Sequence, residues 1–335
     1  MSATSGQPAA EGGMHADGTL DAELDEFLRF ASMQLGPPDT DVERRRRRYE
    51  RLADLAGAPR APRVAREDLL LPRAHASPVR VRRYLAQDVH REAAPLALYL
   101  HGGGWSAGSL ASHDGLCAWL ASAARLELVA VDYRLCPENA HPAALEDSEF
   151  ALQWVHRELA NGRPVALLGD SAGAHLACAT ALKAVQAGRA LAWLGLLYPA
   201  VSPRADLPSH REHANSPGLS REHLLQYWEW LGGEQGRGNV QPYFDLLRVH
   251  DWRGLPRTHI LSAQCDPVRD EAQALAGALS ASGVPVTHRC APGMPHGFAR
   301  FLARSCAAEA EMASFARELG RALTLPQRDP RRPAR

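Results

Sequence analysis

The chain has 335 residues, 45% hydrophobic and 23% charged, the balance of a globular protein rather than a fibrous or disordered one. Its 38 basic and 38 acidic residues cancel, which argues against a nucleic-acid partner or an anionic membrane surface. No stretch has the uninterrupted apolar length of a membrane span, and MSATSGQPAAEGGMHADG at the N-terminus lacks the basic start and apolar core of a secretory signal, so the expectation is a cytoplasmic protein without stable membrane association.

Residues 1–18 and 325–335 are rich in small, polar, Pro and Arg residues and read as flexible tails. Between 19 and 60 apolar residues recur at three- and four-residue steps, predicting helices. The texture changes from about residue 67, where EDLLLP and VRVRRYLA read as short strands. A regular alternation follows. Apolar strands are expected at 95–100, 126–134, 165–170, 191–201, 258–266 and 286–292. Helical patterns separate most of them, around 112–124, 142–160, 172–187, 270–283 and 304–323. Near-continuous apolar strands alternating with helices imply a mostly parallel sheet covered on both faces. The alternation fails at 202–250, an insertion of mixed polar, Pro and aromatic character that includes HLLQYWEWL. With the helices of 19–60 it would form a cap over one end of a core built from 61–201 and 251–324.

Gly169-Asp170-Ser171-Ala172-Gly173 fits G-x-S-x-G where a strand passes into a helix, the setting of a nucleophile elbow. The pentapeptide alone also fits a tight turn in which Ser171 caps the helix. Upstream, His101-Gly102-Gly103-Gly104-Trp105 directly follows a strand. Three glycines there carry a conformational-entropy cost that needs a reason. Their N–H groups can converge on an anion, together with the N–H of Ala172, as an oxyanion hole. Phosphate cradling is the rival, but the Lys-Ser/Thr of a Walker loop and the G-x-G-x-x-G spacing are both missing. A serine nucleophile needs a base and an orienting acid. Asp266 ends one strand and His296 follows the last, which puts both on the same sheet edge as Ser171. Asp270 is the competing acid, better placed to start the next helix.

The motifs HGGGW, VDYRLCPENAHPAALED, GDSAGAHLA, DPVRDEA and HGF occur in this order. Together they resemble the hormone-sensitive-lipase-like carboxylesterases, the bacterial family IV esterases. The resemblance runs from about residue 95 to 300. It implies an α/β-hydrolase fold with a helical cap, a triad of Ser171, Asp266 and His296, and oxyanion donors at Gly103, Gly104 and Ala172. It further implies a serine carboxylesterase for short- to medium-chain esters that works without a metal or organic cofactor. Amide, formamide and N-acetyl substrates stay open on the same machinery. So, less favourably, does a non-catalytic small-molecule-binding relative, although relatives that became receptors lost the histidine that His296 represents here. The chain departs from the family pattern at Cys136 and at Gln241-Pro242.

Other features carry weaker expectations. Trp105, beside the glycine loop, and Tyr227 and Trp230, in HLLQYWEWL, are candidates for the substrate pocket, with core packing as the alternative. The arginine run Arg44 to Arg48 reads as a solvated face of a cap helix. His175 reads as a buried histidine bonded to backbone, and His101 as a brace for the glycine loop. The six cysteines have no metal-like spacing and are expected to be buried and reduced. A homodimer is compatible with the sequence.

Overall fold

The computed structural model describes residues 19–36, 41–61, 63–74 and 76–324, so the expected tails at 1–18 and 325–335 lie outside the described residues. The first described elements are two helices, α1 (Ala22–Leu35) and α2 (Val42–Ala56). Each begins at an aspartate whose side chain accepts a first-turn N–H: Asp21 from Leu24 and Asp41 from Arg44. The strands β1 (Val64–Arg73) and β2 (Ala76–Ala86) follow as an antiparallel pair. Then come β3 (Leu96–Leu100), α3 (Asp114–Ala123), β4 (Glu127–Asp132), α4 (Ala143–Trp154), β5 (Val165–Asp170), α5 (Ala172–Gln186) and β6 (Trp193–Leu197). After β6 the chain leaves the sheet for α6 (Pro208–Glu212) and α7 (Arg221–Gly232). It returns through β7 (Thr258–Cys265), α8 (Arg269–Ala281), β8 (Val286–Pro295) and α9 (Cys306–Thr324).

The sheet has 8 strands in the order β1-β2-β4-β3-β5-β6-β7-β8. From β4 to β8 all pairings are parallel, while β1–β2 and β2–β4 are antiparallel. The mostly parallel sheet is the one the alternating apolar runs imply, and its architecture is the α/β-hydrolase fold that the motif resemblance implies. Side chains of the inner strands alternate between two cores, as the two-residue strand period requires. Leu96, Leu98 and Leu100 of β3 join one core, Ala97 and Tyr99 the other. Both faces are therefore dry, which is why these strands read as unbroken apolar runs. At the centre α5 is almost wholly buried, and its Ala-rich sequence lets it lie close against the sheet.

The insertion leaves and rejoins the core at one place. Glu271 of α8 is fully buried and accepts the N–H groups of Val201 and Ser202, and its other oxygen meets His210 at 2.8 Å. Leu246 N–H, near the exit, bonds Val201 C=O at 2.9 Å.

The cysteine expectation holds for Cys117, Cys136, Cys178 and Cys265, which are buried, and fails for Cys290 and Cys306, which are exposed. Cys290 lies on β8, the edge strand, and Cys306 opens α9, so neither has a second layer over it. Among the described residues no helix is long and apolar enough to cross a membrane.

Candidate active site

Ser171 stands at the turn between β5 and α5 with φ 54° and ψ −119°, a left-handed conformation costly for a residue with a Cβ. The turn is held by Ser171 N–H bonding Leu197 C=O at 2.9 Å and by small neighbours. A Cβ on Gly173 would fall 2.0 Å from the carbonyl oxygen of Leu100, so only glycine lets α5 approach β3 this closely.

Asp266 follows β7 and His296 follows β8, on the sheet edge that carries Ser171. The structure brings the three together. Ser171 Oγ lies 2.7 Å from His296 Nε2, and His296 Nδ1 lies 2.7 Å from Asp266 Oδ2. Asp266 is fully buried, and its other oxygen accepts Val268 N–H at 2.9 Å. With Nδ1–H donating to Asp266, Nε2 is left as the acceptor facing the serine hydroxyl. Asp270 points elsewhere. It accepts Ser209 N–H at 2.9 Å and pairs with Arg269 Nε at 2.9 Å, joining α8 to the insertion.

The glycine loop runs beside this turn. Gly103 has φ 124°, open only to glycine, and a Cβ there would strike Ala107 C=O at 2.2 Å. Gly103, Gly104 and Ala172 all border the cavity over Ser171. As the first residue of α5, Ala172 has an N–H with no carbonyl four residues back to bond.

Asp170 joins the loop to the turn. It is buried, and its Oδ1 accepts both Gly102 N–H and Tyr99 O–H at 2.7 Å. Burial alone would raise its pKa, but the neighbouring His113 and the hydrogen bonds of His113 and Tyr99 outweigh it and hold the carboxyl at about 2. His101 places Nδ1 2.8 Å from Gly102 C=O, and burial, aided by His113, lowers its pKa to about 3. His175 lies behind the site with Nε2 3.1 Å from Phe244 C=O; burial lowers it also to about 3, with His141 adding.

A cavity of about 90 Å³ opens onto Ser171. Trp105 and Tyr227 border it, whereas Trp230 does not. Trp230 sits one helical turn beyond Tyr227 and packs on the guanidinium of Arg45, which lies 5.0 Å from its ring centre. The arginine run also differs from a solvated face. Arg45 is 4% exposed, while Arg46 and Arg48 are half-buried. Arg46 donates to Ser106 C=O at 2.8 Å and Cys136 C=O at 3.0 Å and pairs with Glu138 at 2.6 Å, tying α2 to the loop after the glycines. Sequence reasoning also missed Arg300, whose guanidinium lies 3.7 Å over the Tyr49 ring and borders the same cavity.

A family model described as the alpha/beta hydrolase fold matches residues 97–300. The chain belongs to this family. The esterase LipI of Mycobacterium tuberculosis is 35% identical over 258 residues, which span 74% of this chain and 79% of LipI. The carboxylesterase NlhH of the same species is 37% identical over 230 residues, 66% of this chain and 72% of NlhH. Among solved structures, a hyperthermophilic esterase from the archaeon Pyrobaculum calidifontis superposes with a TM-score of 0.83 at 29% identity, covering 91% of this chain and 100% of that one. These likenesses bear out the resemblance to the hormone-sensitive-lipase-like carboxylesterases read from the motifs.

Proposed function

We propose that this α/β-hydrolase is a cytoplasmic serine carboxylesterase that hydrolyses small esters through an acyl-enzyme on Ser171. The observation that carries the reading is the continuous chain from Ser171 Oγ through His296 to Asp266, with both contacts at 2.7 Å, at the floor of a cavity. Its esterase relatives support the reaction class.

In the first half-reaction His296 Nε2 takes the proton of Ser171 as Oγ attacks the carbonyl carbon. The N–H groups of Gly103, Gly104 and Ala172 stabilise the oxyanion. His296 then gives the proton to the leaving alkoxide, and the alcohol departs. Water, deprotonated by the same nitrogen, attacks the acyl-enzyme; as the C–Oγ bond breaks, His296 returns the proton to Ser171 Oγ and the acid is released. Asp266 keeps the imidazole in the required tautomer and stabilises its cation.

Residues 202–250, with α1 and α2, act as the cap over the core segments 61–201 and 251–324. A cavity of about 90 Å³ favours short acyl groups, being smaller than the ~150 Å³ void that takes up benzene. The test is hydrolysis of p-nitrophenyl esters from acetate to long acyl chains by wild type and Ser171→Ala. Short-chain activity that is lost in the variant supports the proposal. A folded wild type inactive on every ester would redirect it to amides on the same residues.

A further inference from the structure

Among the described residues, the cavity over Ser171 is bordered by three arginines, Arg45, Arg48 and Arg300, and by one carboxylate, Asp170, that is already engaged by Gly102 and Tyr99. For a small apolar ester this is an odd lining. Arg45 is buried with its guanidinium 4.9 Å from the Tyr227 ring centre and 5.0 Å from that of Trp230. A guanidinium cannot shed its charge, and two aromatic rings pack on this one. One turn along α2 stands Arg48. Burial, with repulsion from Arg45 adding to it, lowers its pKa. His223 of α7 completes this wall; burial, then Arg45 and Arg48, lower its pKa against the opposing charge of Glu222. Arg45 and Arg48 of α2 thus bring two guanidinium groups to one side of the cavity, where an entering anion meets them.

The wall is also close to the reacting centre. The Tyr227 ring beneath Arg45 lies against the glycine loop, and a Cβ on Gly104 would fall 2.4 Å from that ring. One aromatic ring separates the Arg45 guanidinium from the loop.

We infer that this site prefers esters that carry a carboxylate, on the acyl or the alcohol side, a few atoms from the scissile carbonyl, with Arg45 and Arg48 as its recognition residues. The inference rests on the assignment of Ser171 as nucleophile. Guanidinium groups suit this role because their paired N–H donors match the two oxygens of a carboxylate.

Two matched pairs test it. Mono-p-nitrophenyl succinate against p-nitrophenyl butyrate places the charge on the acyl side. 4-Acetoxybenzoate against its methyl ester places it on the leaving group. In wild type the anionic-to-neutral ratio of kcat/KM should reach at least about tenfold in one pair, and that pair names the side of the charge. The ratio should fall about tenfold in Arg45→Met and in Arg48→Gln, and hold in Arg47→Gln, an exposed arginine of the same helix. If Arg45→Met fails to fold, half-buried Arg48 carries the test. A wild-type ratio near or below one in both pairs, or a ratio unchanged in both variants, overturns the inference. Succinate binding to Ser171→Ala, read as a rise in Tm that is lost on adding Arg48→Gln, gives a readout without turnover. If wild type cleaves neither member of either pair, the esterase assignment falls, and succinate binding alone decides whether the anion site stands.

Discussion

The carboxylate of Asp170 accepts the backbone N–H of Gly102 at 2.7 Å, so the residue before the serine holds the first glycine of the loop that faces it. Asp170 is thereby a positioning residue for the proposed oxyanion hole. Asp170→Ala leaves the Gly102 N–H and the Tyr99 hydroxyl without their acceptor, at a cost of about 1–3 kcal/mol for each buried group. Its kcat should fall while KM for a short ester stays close to wild type. Urea denaturation and steady-state kinetics on the same preparation check both halves. Wild-type kcat in a folded Asp170→Ala protein would remove Asp170 from that role.

The backbone of Ser171 separates strain from chemistry. With φ at 54°, any residue with a Cβ is strained here by about 1–3 kcal/mol, whereas glycine is not. Ser171→Ala and Ser171→Gly should both lose turnover by orders of magnitude, near the ~10⁶-fold seen for other triad nucleophiles. Ser171→Gly should nonetheless melt no lower than Ser171→Ala, even though glycine gives the unfolded chain more freedom. A clearly lower Tm for Ser171→Gly would show that the turn is not strained.

Asp266 and Asp270 give the contrast that tests the acid. Asp266→Asn should cut kcat by about 10⁴, since an amide leaves the imidazole in the wrong tautomer. Asp270→Asn weakens the bond from α8 to Ser209 and the pair with its neighbour Arg269, and should act mainly on stability. Equal losses of kcat from the two would overturn the choice of Asp266.

Stability should fall on mild acidification. His101 and His175 have pKa values of about 3 in the folded protein against 6.5 in the unfolded chain. Below pH 6.5 the unfolded state takes up protons that the folded state excludes. The stabilising contribution is therefore complete above 6.5 and shrinks as pH falls, by about 1.4 kcal/mol per pH unit for each histidine, until the folded value is reached. Asp170 works in the same direction lower down, between its ordinary value of 3.8 and about 2. Unfolding followed from pH 7.5 to 5 should show little change down to about 6.5 and a decline below it. His175→Phe should be less stable at pH 7.5 but decline less steeply. A flat profile in wild type would count against buried neutral histidines.

The contrast between Ser171 and Arg45 shows what a sequence can and cannot carry. The turn at Ser171 is local: an apolar strand, small residues and a helix within a short span, each with its own signature. The inner strands were legible for a similar reason, since burial on both faces leaves an unbroken apolar run. Arg45 looks like its neighbours in ERRRRR because nothing in the run distinguishes it. Its burial comes from Tyr227 and Trp230 of α7, distant in sequence and joined to it only by the fold. Trp230 borders Arg45 and not the cavity, a placement that the same long-range contact reveals only in the fold. Cys290 escaped for a third reason: edge position depends on strand order, which the order of motifs does not state.

The bond from Leu246 to Val201, beside the Glu271 clamp on Val201 and Ser202, means that the segment between β6 and β7 starts and stops at the same doorway. Both door-posts belong to the core, and the sheet does not register how much chain passes between them. The segment can therefore be lengthened, shortened or exchanged as a cassette without asking any strand to move. Changes in the molecules this protein selects can accumulate in the cassette while the hydrolytic centre keeps its geometry.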